Sequence, residues 1–193
     1  DIDVAWAQPL AVALPDGFGF KQVLEESGLQ FVEVPGMPSH RPSGSFKLPG
    51  ADQLAIDLLV PGRMLGAIVS VKELGAHAQT IPMLDFLIEE PLDGVVLSPN
   101  QVIPVRIPSP ERFVLHKLFS SQSRKSDRDK VRKDLAQAAA LAAALEEETP
   151  GRLREAYRSM PAGGKLVAKR GAQAAAKLLK GVNTEAYEVL AKF

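Results

Sequence analysis

Asp1 and Asp3 stand one residue apart in DIDVAWAQPL, and a third acid, Asp57, sits in the middle of the apolar run ADQLAIDLLVPG. In an extended segment the side chains of residues i and i+2 point the same way. A strand over DIDVAWA therefore sets Asp1 and Asp3 on one face and turns Ile2, Val4 and Trp6 toward a core on the other. Two carboxylates held that close disfavour each other's charge unless a cation answers them. A divalent ion such as Mg2+, which takes hard oxygen ligands, is the usual cation. Plain solvation of both acids is the competing reading of a D-x-D on its own. Asp57 poses a sharper problem, because Leu54, Ile56, Leu58 and Val60 alternate with Ala55, Asp57 and Leu59. The strand is apolar on both faces save for this acid. A carboxylate there is costly unless a metal ion, or else a Lys or Arg, partners it.

The elements that must position these acids read as short strands with Gly and Pro punctuation. PDGFGF is a loop, FKQVLEESGL a short amphipathic helix closed by Gly28, and QFVEVP a strand. PGMPSHRPSG, including Gly44, reads as a loop, and the Gly44-Ser45 pair is counted with it although SFKLP begins another strand. GVVLSP and QVIPVRIP form a hairpin around Asn100. A helix then starts at SPERFVLHKLF, with Ser109 at the cap, Pro110 at the first helical position and Glu111 complementing the dipole. Everything after it is helical. SDRDKVRKDLAQAAALAAALEEE places Val131, Leu135, Ala138, Ala142 and Leu145 on one stripe, and further helices follow Pro150, Pro161 and Gly181. The predicted class is α+β, with a mixed-sheet module over 1–108 and a helical module over 109–193.

Composition narrows the function classes. At 193 residues and 46% hydrophobic, the chain can bury a sizeable core, which excludes a disordered segment. Its net charge of zero is unevenly spread: residues 1–108 hold 6 Lys+Arg against 13 Asp+Glu, and residues 109–193 hold 17 against 10. An acidic half suits metal ions and a basic half suits phosphates, while mutual attraction of two oppositely charged modules explains the split equally well. With 0 cysteines, disulfides and thiolate zinc sites are excluded, which fits a cytoplasmic protein. His40, His77 and His116 lack zinc-ligand spacing, and His116 reads as a packed or half-exposed histidine. The longest apolar stretch, LAQAAALAAAL, is too short and too rich in alanine to span a bilayer, so no membrane is expected. Neither G-x-S-x-G nor G-x-x-x-x-G-K-[ST] occurs, and the aromatic residues of the basic half form no stacking motif.

The segments DIDVA, AIDLLVP, VIPVRIPSPERFVLHKLF and KDLAQAAAL together resemble the nucleotidyltransferase superfamily that includes DNA polymerase beta. The resemblance is closest to uncharacterised bacterial nucleotidyltransferase-fold proteins, distant relatives of abortive-infection toxin nucleotidyltransferases. It implies a mixed-sheet palm followed by a helical module, and transfer of a nucleoside monophosphate from an NTP to an acceptor that is RNA, protein or a small molecule. It further implies that Asp1, Asp3 and Asp57 are catalytic and hold two Mg2+ ions, which stabilise the entering and leaving oxygens of an in-line displacement. Within SQSRKSDRDKVRKD and the helix before it, Lys117, Arg124 and Arg128 are the expected nucleotide-phosphate contacts, and Lys117 resembles the family's triphosphate lysine. Solvated pairing with Asp127, Asp129 and Asp134 is the alternative for these bases. Lys133 and Asp134 are expected to form a structural ion pair. The superfamily also places a Gly-Ser or Gly-Gly turn ahead of its paired acids, so the expectation is that such a segment precedes Asp1 in the full protein. A catalytically silent nucleotidyltransferase-fold module that binds a partner, for example in a toxin–antitoxin pair, is the alternative function.

Overall fold

Alternating apolar residues build the sheet of the first unit around one central strand. The computed structural model describes residues 2–5, 19–36, 38–39, 41–50, 54–124 and 127–193. Asp1, Trp6 and His40, and the expectations attached to them, lie outside the described residues. The chain is a mixed α+β protein that divides into two compact units, 1–85 and 86–193.

In the first unit, strands β1 (Ile2–Ala5), β2 (Val32–Glu33), β3 (Ser45–Lys47), β4 (Ala55–Pro61), β5 (Ile68–Val71) and β6 (Ala76–Ile81) form one sheet, with helix α1 (Phe20–Glu26) beside it. The order is β2-β3-β4-β6-β5, and β1 also pairs with β4. Strand β4 thus has three partners: it runs parallel to β1 and β6 and antiparallel to β3. Ile56, Leu58 and Val60 turn one face of β4 into a core with Phe46, Val71, Leu74, Ala76 and Ala78, and α1 adds Leu24. The rings of Phe20 and Phe46 meet there, centroids 5.4 Å apart. Helix α1 closes as its sequence indicates, with Gly28 in the left-handed region at φ 72°.

Two expectations change, and two strands are added. Ile2 and Val4 are exposed, at 48% and 36%, because the core is assembled from β3 to β6 and α1 and does not include β1. The strand in QFVEVP contracts to Val32–Glu33. Strands β5 and β6 went unread in the sequence. The alternation of β6 rests on Ala76, Ala78 and Thr80, small side chains whose period-2 signal is weak, yet all three are buried.

The second unit holds the hairpin β7 (Leu92–Ser98) and β8 (Gln101–Ile107) and five helices, α3 (Pro110–Ser123), α4 (Arg128–Glu148), α5 (Arg152–Ser159), α6 (Ala162–Leu179) and α7 (Thr184–Ala191); the division between the units falls within α2 (Leu84–Ile88). The hairpin turns at Pro99–Asn100, and α3 begins with Ser109 at its cap and Pro110 at its first position. Asp127 caps α4 by accepting from the Lys130 N–H at 3.0 Å, and Asn183 caps α7 by accepting from the Ala186 N–H at 2.9 Å. The stripe on α4 buries Ala138, Ala142 and Leu145, while Val131 and Leu135 are half-buried; Asp134 is buried beside them.

Small residues let these helices approach closely. Ala168, Ala172 and Ala175 of α6 are fully buried, as are Val114, Leu115 and Leu118 of α3. Between them a Cβ on Gly171 would lie 2.2 Å from the Leu118 carbonyl oxygen. Alanine is the better helix former by about 1 kcal/mol, but the obstacle is backbone, which moves only with the whole helix. Gly171→Ala is therefore expected to lower the unfolding free energy by about 1–3 kcal/mol, the usual cost of overpacking. Urea denaturation measures it; a stabilised variant would show that α3 and α6 are not this close.

Candidate active site

Register brings Asp3 and Asp57 together. Asp3 on β1 is the direct partner of Asp57 on β4, and Asp57 is in turn the partner of Ser45 on β3. Neighbouring strands lie about 4.8 Å apart, and residues in register project to the same face. Because Ile56 and Leu58 face the core, this row of Asp3, Asp57 and Ser45 lies on the opposite, open face of the sheet. Asp3 is exposed and Asp57 half-buried.

A short relay orients the Asp57 carboxylate. The Ser45 hydroxyl donates to Asp57 Oδ1 at 2.5 Å, and its oxygen accepts from Gln79 Nε2 at 3.0 Å. With its proton committed in one direction by Gln79, Ser45 fixes one carboxylate oxygen, and among the described residues the other has no hydrogen-bond partner. Gly44 makes the relay reachable. A Cβ there would sit 2.8 Å from Ala78 Cα and 2.9 Å from the Gln79 nitrogen, so only glycine lets this chain lie against β6. Its carbonyl also accepts from the Leu58 N–H at 2.7 Å. Ser45 is thus a strand residue, not part of the loop. The Gly-Ser pair has loop composition, but a backbone approach to β6 leaves no mark in composition. Ser45 and Gln79 were missed, and the signal that could have found them is the polar half of the alternation in SFK and AHAQT.

Among the described residues neither Asp3 nor Asp57 pairs with a Lys or Arg. The salt-bridge explanation of Asp57 is therefore not realised there. Asp3 and Asp57 offer hard carboxylate oxygens with no competing cation among the described residues, the donor chemistry that suits Mg2+. Among the described residues no group of three or more acids or histidines is placed to hold a metal ion. Asp1 lies outside that set.

The expected phosphate contacts cluster in the second unit. Lys117 Nζ lies 2.9 Å from Asp134 Oδ1, and Arg124 Nε lies 3.1 Å from Asp134 Oδ2. Lys117 also sits over the Phe113 ring, 5.2 Å from its centroid. The helix breaks between α3 and α4, and Asp134 joins Lys117 and Arg124 across the break. Arg128 opens α4 as an exposed residue apart from this cluster. The Lys133–Asp134 pair does not form: Lys133 is exposed and Asp134 buried, because adjacent residues on a helix do not face each other. His116 is buried, 6.5 Å from Phe119, whereas His77 lies on the open face of β6.

The fold, with its acid row on the open face of a mixed sheet, defines a class that the sequence comparison makes definite. Residues 1–162 match a family model described as Nucleotidyltransferase, and the chain belongs to this nucleotidyltransferase family. Membership implies a nucleoside triphosphate as substrate. No curated protein and no solved structure matches the chain. Among the described residues no helix is long and apolar enough to cross a membrane.

Proposed function

We propose that the chain transfers a nucleoside monophosphate from an NTP to an acceptor hydroxyl, using Asp3 and Asp57 together with Asp1. The observation that carries this reading is the in-register Asp3–Asp57 pair on the open sheet face, without a Lys or Arg partner among the described residues and with Asp57 oriented by Ser45 and Gln79. Asp1, Asp3 and Asp57 would hold Mg2+, two ions being expected, which when bound supplies charge stabilisation to the entering and leaving oxygens of the displacement. The chain's own groups do the rest. Ser45 holds Asp57 in one orientation, and the oxygen that Ser45 leaves open stands ready to accept the acceptor's proton. Lys117, Arg124 and Arg128 are the proposed phosphate contacts of the helical unit. One carboxylate shared by Lys117 and Arg124 leaves that pair a net positive charge and spare N–H donors.

Full-length protein incubated with labelled NTPs, Mg2+ and total RNA, protein or small-molecule extract is expected to pass label to one of these acceptors and to stop when a chelator is added. NTP binding with no label on any acceptor would overturn transfer and leave the silent binding module. The acceptor class follows from the fraction that carries the label.

A further inference from the structure

We propose that the groove beside the acid row, on the same face of the first unit, binds the triphosphate chain of the nucleotide through Arg41 and His77. The proposal rests on the nucleotidyl-transfer reading above and names the residues of the first unit that would receive the charged end of the substrate.

The groove has a volume of about 780 Å3, within the range of small-molecule sites. Its floor carries His77 and Gln79 of β6 and Ser70 and Ile68 of β5, with Ser70 the cross-strand partner of His77 and Ile68 that of Gln79. Its walls come from Gly36 and Arg41 between β2 and β3, and from Gly66 between β4 and β5. The groove is continuous with the acids through one residue, since Gln79 on its floor donates to Ser45, and Ser45 donates to Asp57.

Charge selects the occupant. Residues 1–85 hold 5 Lys+Arg against 10 Asp+Glu, yet among the described residues no carboxylate lines this groove. Lys21, in an adjoining cleft that shares Arg41 and His77, is already answered by Glu33 at 2.7 Å. That contact, helped to a smaller degree by His77, holds the Glu33 carboxyl below the usual carboxylate range; Glu33 is the one carboxylate among the described residues of the adjoining cleft, and Lys21 is its direct partner. Arg41 has no carboxylate partner among the described residues. A neutral acceptor hydroxyl needs no cation here. A triphosphate lying against Asp3 and Asp57 does, because the acids repel it. A guanidinium presents a fork of N–H donors that matches phosphate oxygens, and the imidazole of His77, the hydroxyl of Ser70 and the amide of Gln79 add further polar groups along the same floor.

Calorimetric titration of the full chain with inorganic tripolyphosphate, in a chelator so that no divalent ion takes part, isolates this contact. Wild type is expected to bind, Arg41→Ala to bind at least about tenfold more weakly, the loss of one charge-assisted contact, and Arg41→Lys to recover part of the affinity. His77→Gln is expected to weaken binding less, and Asp57→Asn to leave it equal or tighter, since it removes a repelling charge. Arg41→Ala that binds as well as wild type, or wild type that does not bind at all, overturns the groove. Loss of binding in Lys117→Ala but not in Arg41→Ala also overturns it and leaves the helical unit's bases as the only phosphate contacts proposed above that still stand. Label transfer by wild type is scored separately. Arg41-dependent binding without transfer defeats the transfer reading alone, and transfer with Arg41-independent binding defeats the groove alone.

Discussion

Asp57→Asn is expected to reduce nucleotidyl transfer by about 10²–10⁴-fold, the range contributed by a positioned acid–base group, while leaving the chelator-treated fold within about 0.5 kcal/mol of wild type. The two halves of this expectation have separate causes. Asparagine keeps the size of the side chain and a carbonyl oxygen that can still accept from Ser45, so the relay from Gln79 survives. No Lys or Arg among the described residues loses a partner, and one repelling charge beside Asp3 disappears. What is lost is the open, charged oxygen. Thermal unfolding checks the structural half, with both proteins measured in Mg2+ and in a chelator. Mg2+ is expected to raise the melting temperature of wild type, because a ligand that binds only the folded state stabilises it, and to raise that of the variant less. A variant clearly destabilised in chelator would mean that Asp57 is a structural ion-pair partner.

Asp134→Asn is expected to destabilise the protein by about 3 kcal/mol, the lower end of the range for breaking a buried ion pair. The Asp134 side chain is 5% exposed and faces two cations, Lys117 and Arg124, which are 22% and 31% exposed. Removing its charge leaves two like charges side by side with no anion between them. Their remaining hydration keeps the loss at the lower end. Urea denaturation of the single and double variants tests the cause: Asp134→Asn combined with Lys117→Met is expected to lose less than the sum of the two single losses, because the second substitution removes one of the stranded charges. Additive losses would show that Asp134 acts through something other than these cations. The same series separates two roles for Lys117. A Lys117→Ala protein that is less stable but binds NTP as tightly as wild type has lost only the tie between α3 and α4.

The sequence by itself determined what depends on near neighbours. Ser109, Pro110 and the residues after them specify the start of α3, and Gly28 marks the end of α1, because caps and left-handed turns are properties of a few consecutive residues. The hairpin at Asn100 and the helical second half follow from the same short-range periodicities. Asp57 stood out as an acid in an apolar strand, and the motifs around it carried the resemblance to the family to which the chain belongs. Tertiary structure alone decided the partners. Ser45 reaches Asp57 across 12 positions of the chain and Gln79 reaches Ser45 across 34, through strand registers that depend on Gly44 lying against β6. Asp134 takes Lys117 from 17 positions away and Arg124 from 10, not its neighbour Lys133. Such pairings follow from which elements pack against each other and how closely, and a local pattern of residue types records the need for a partner without recording where the fold will supply it.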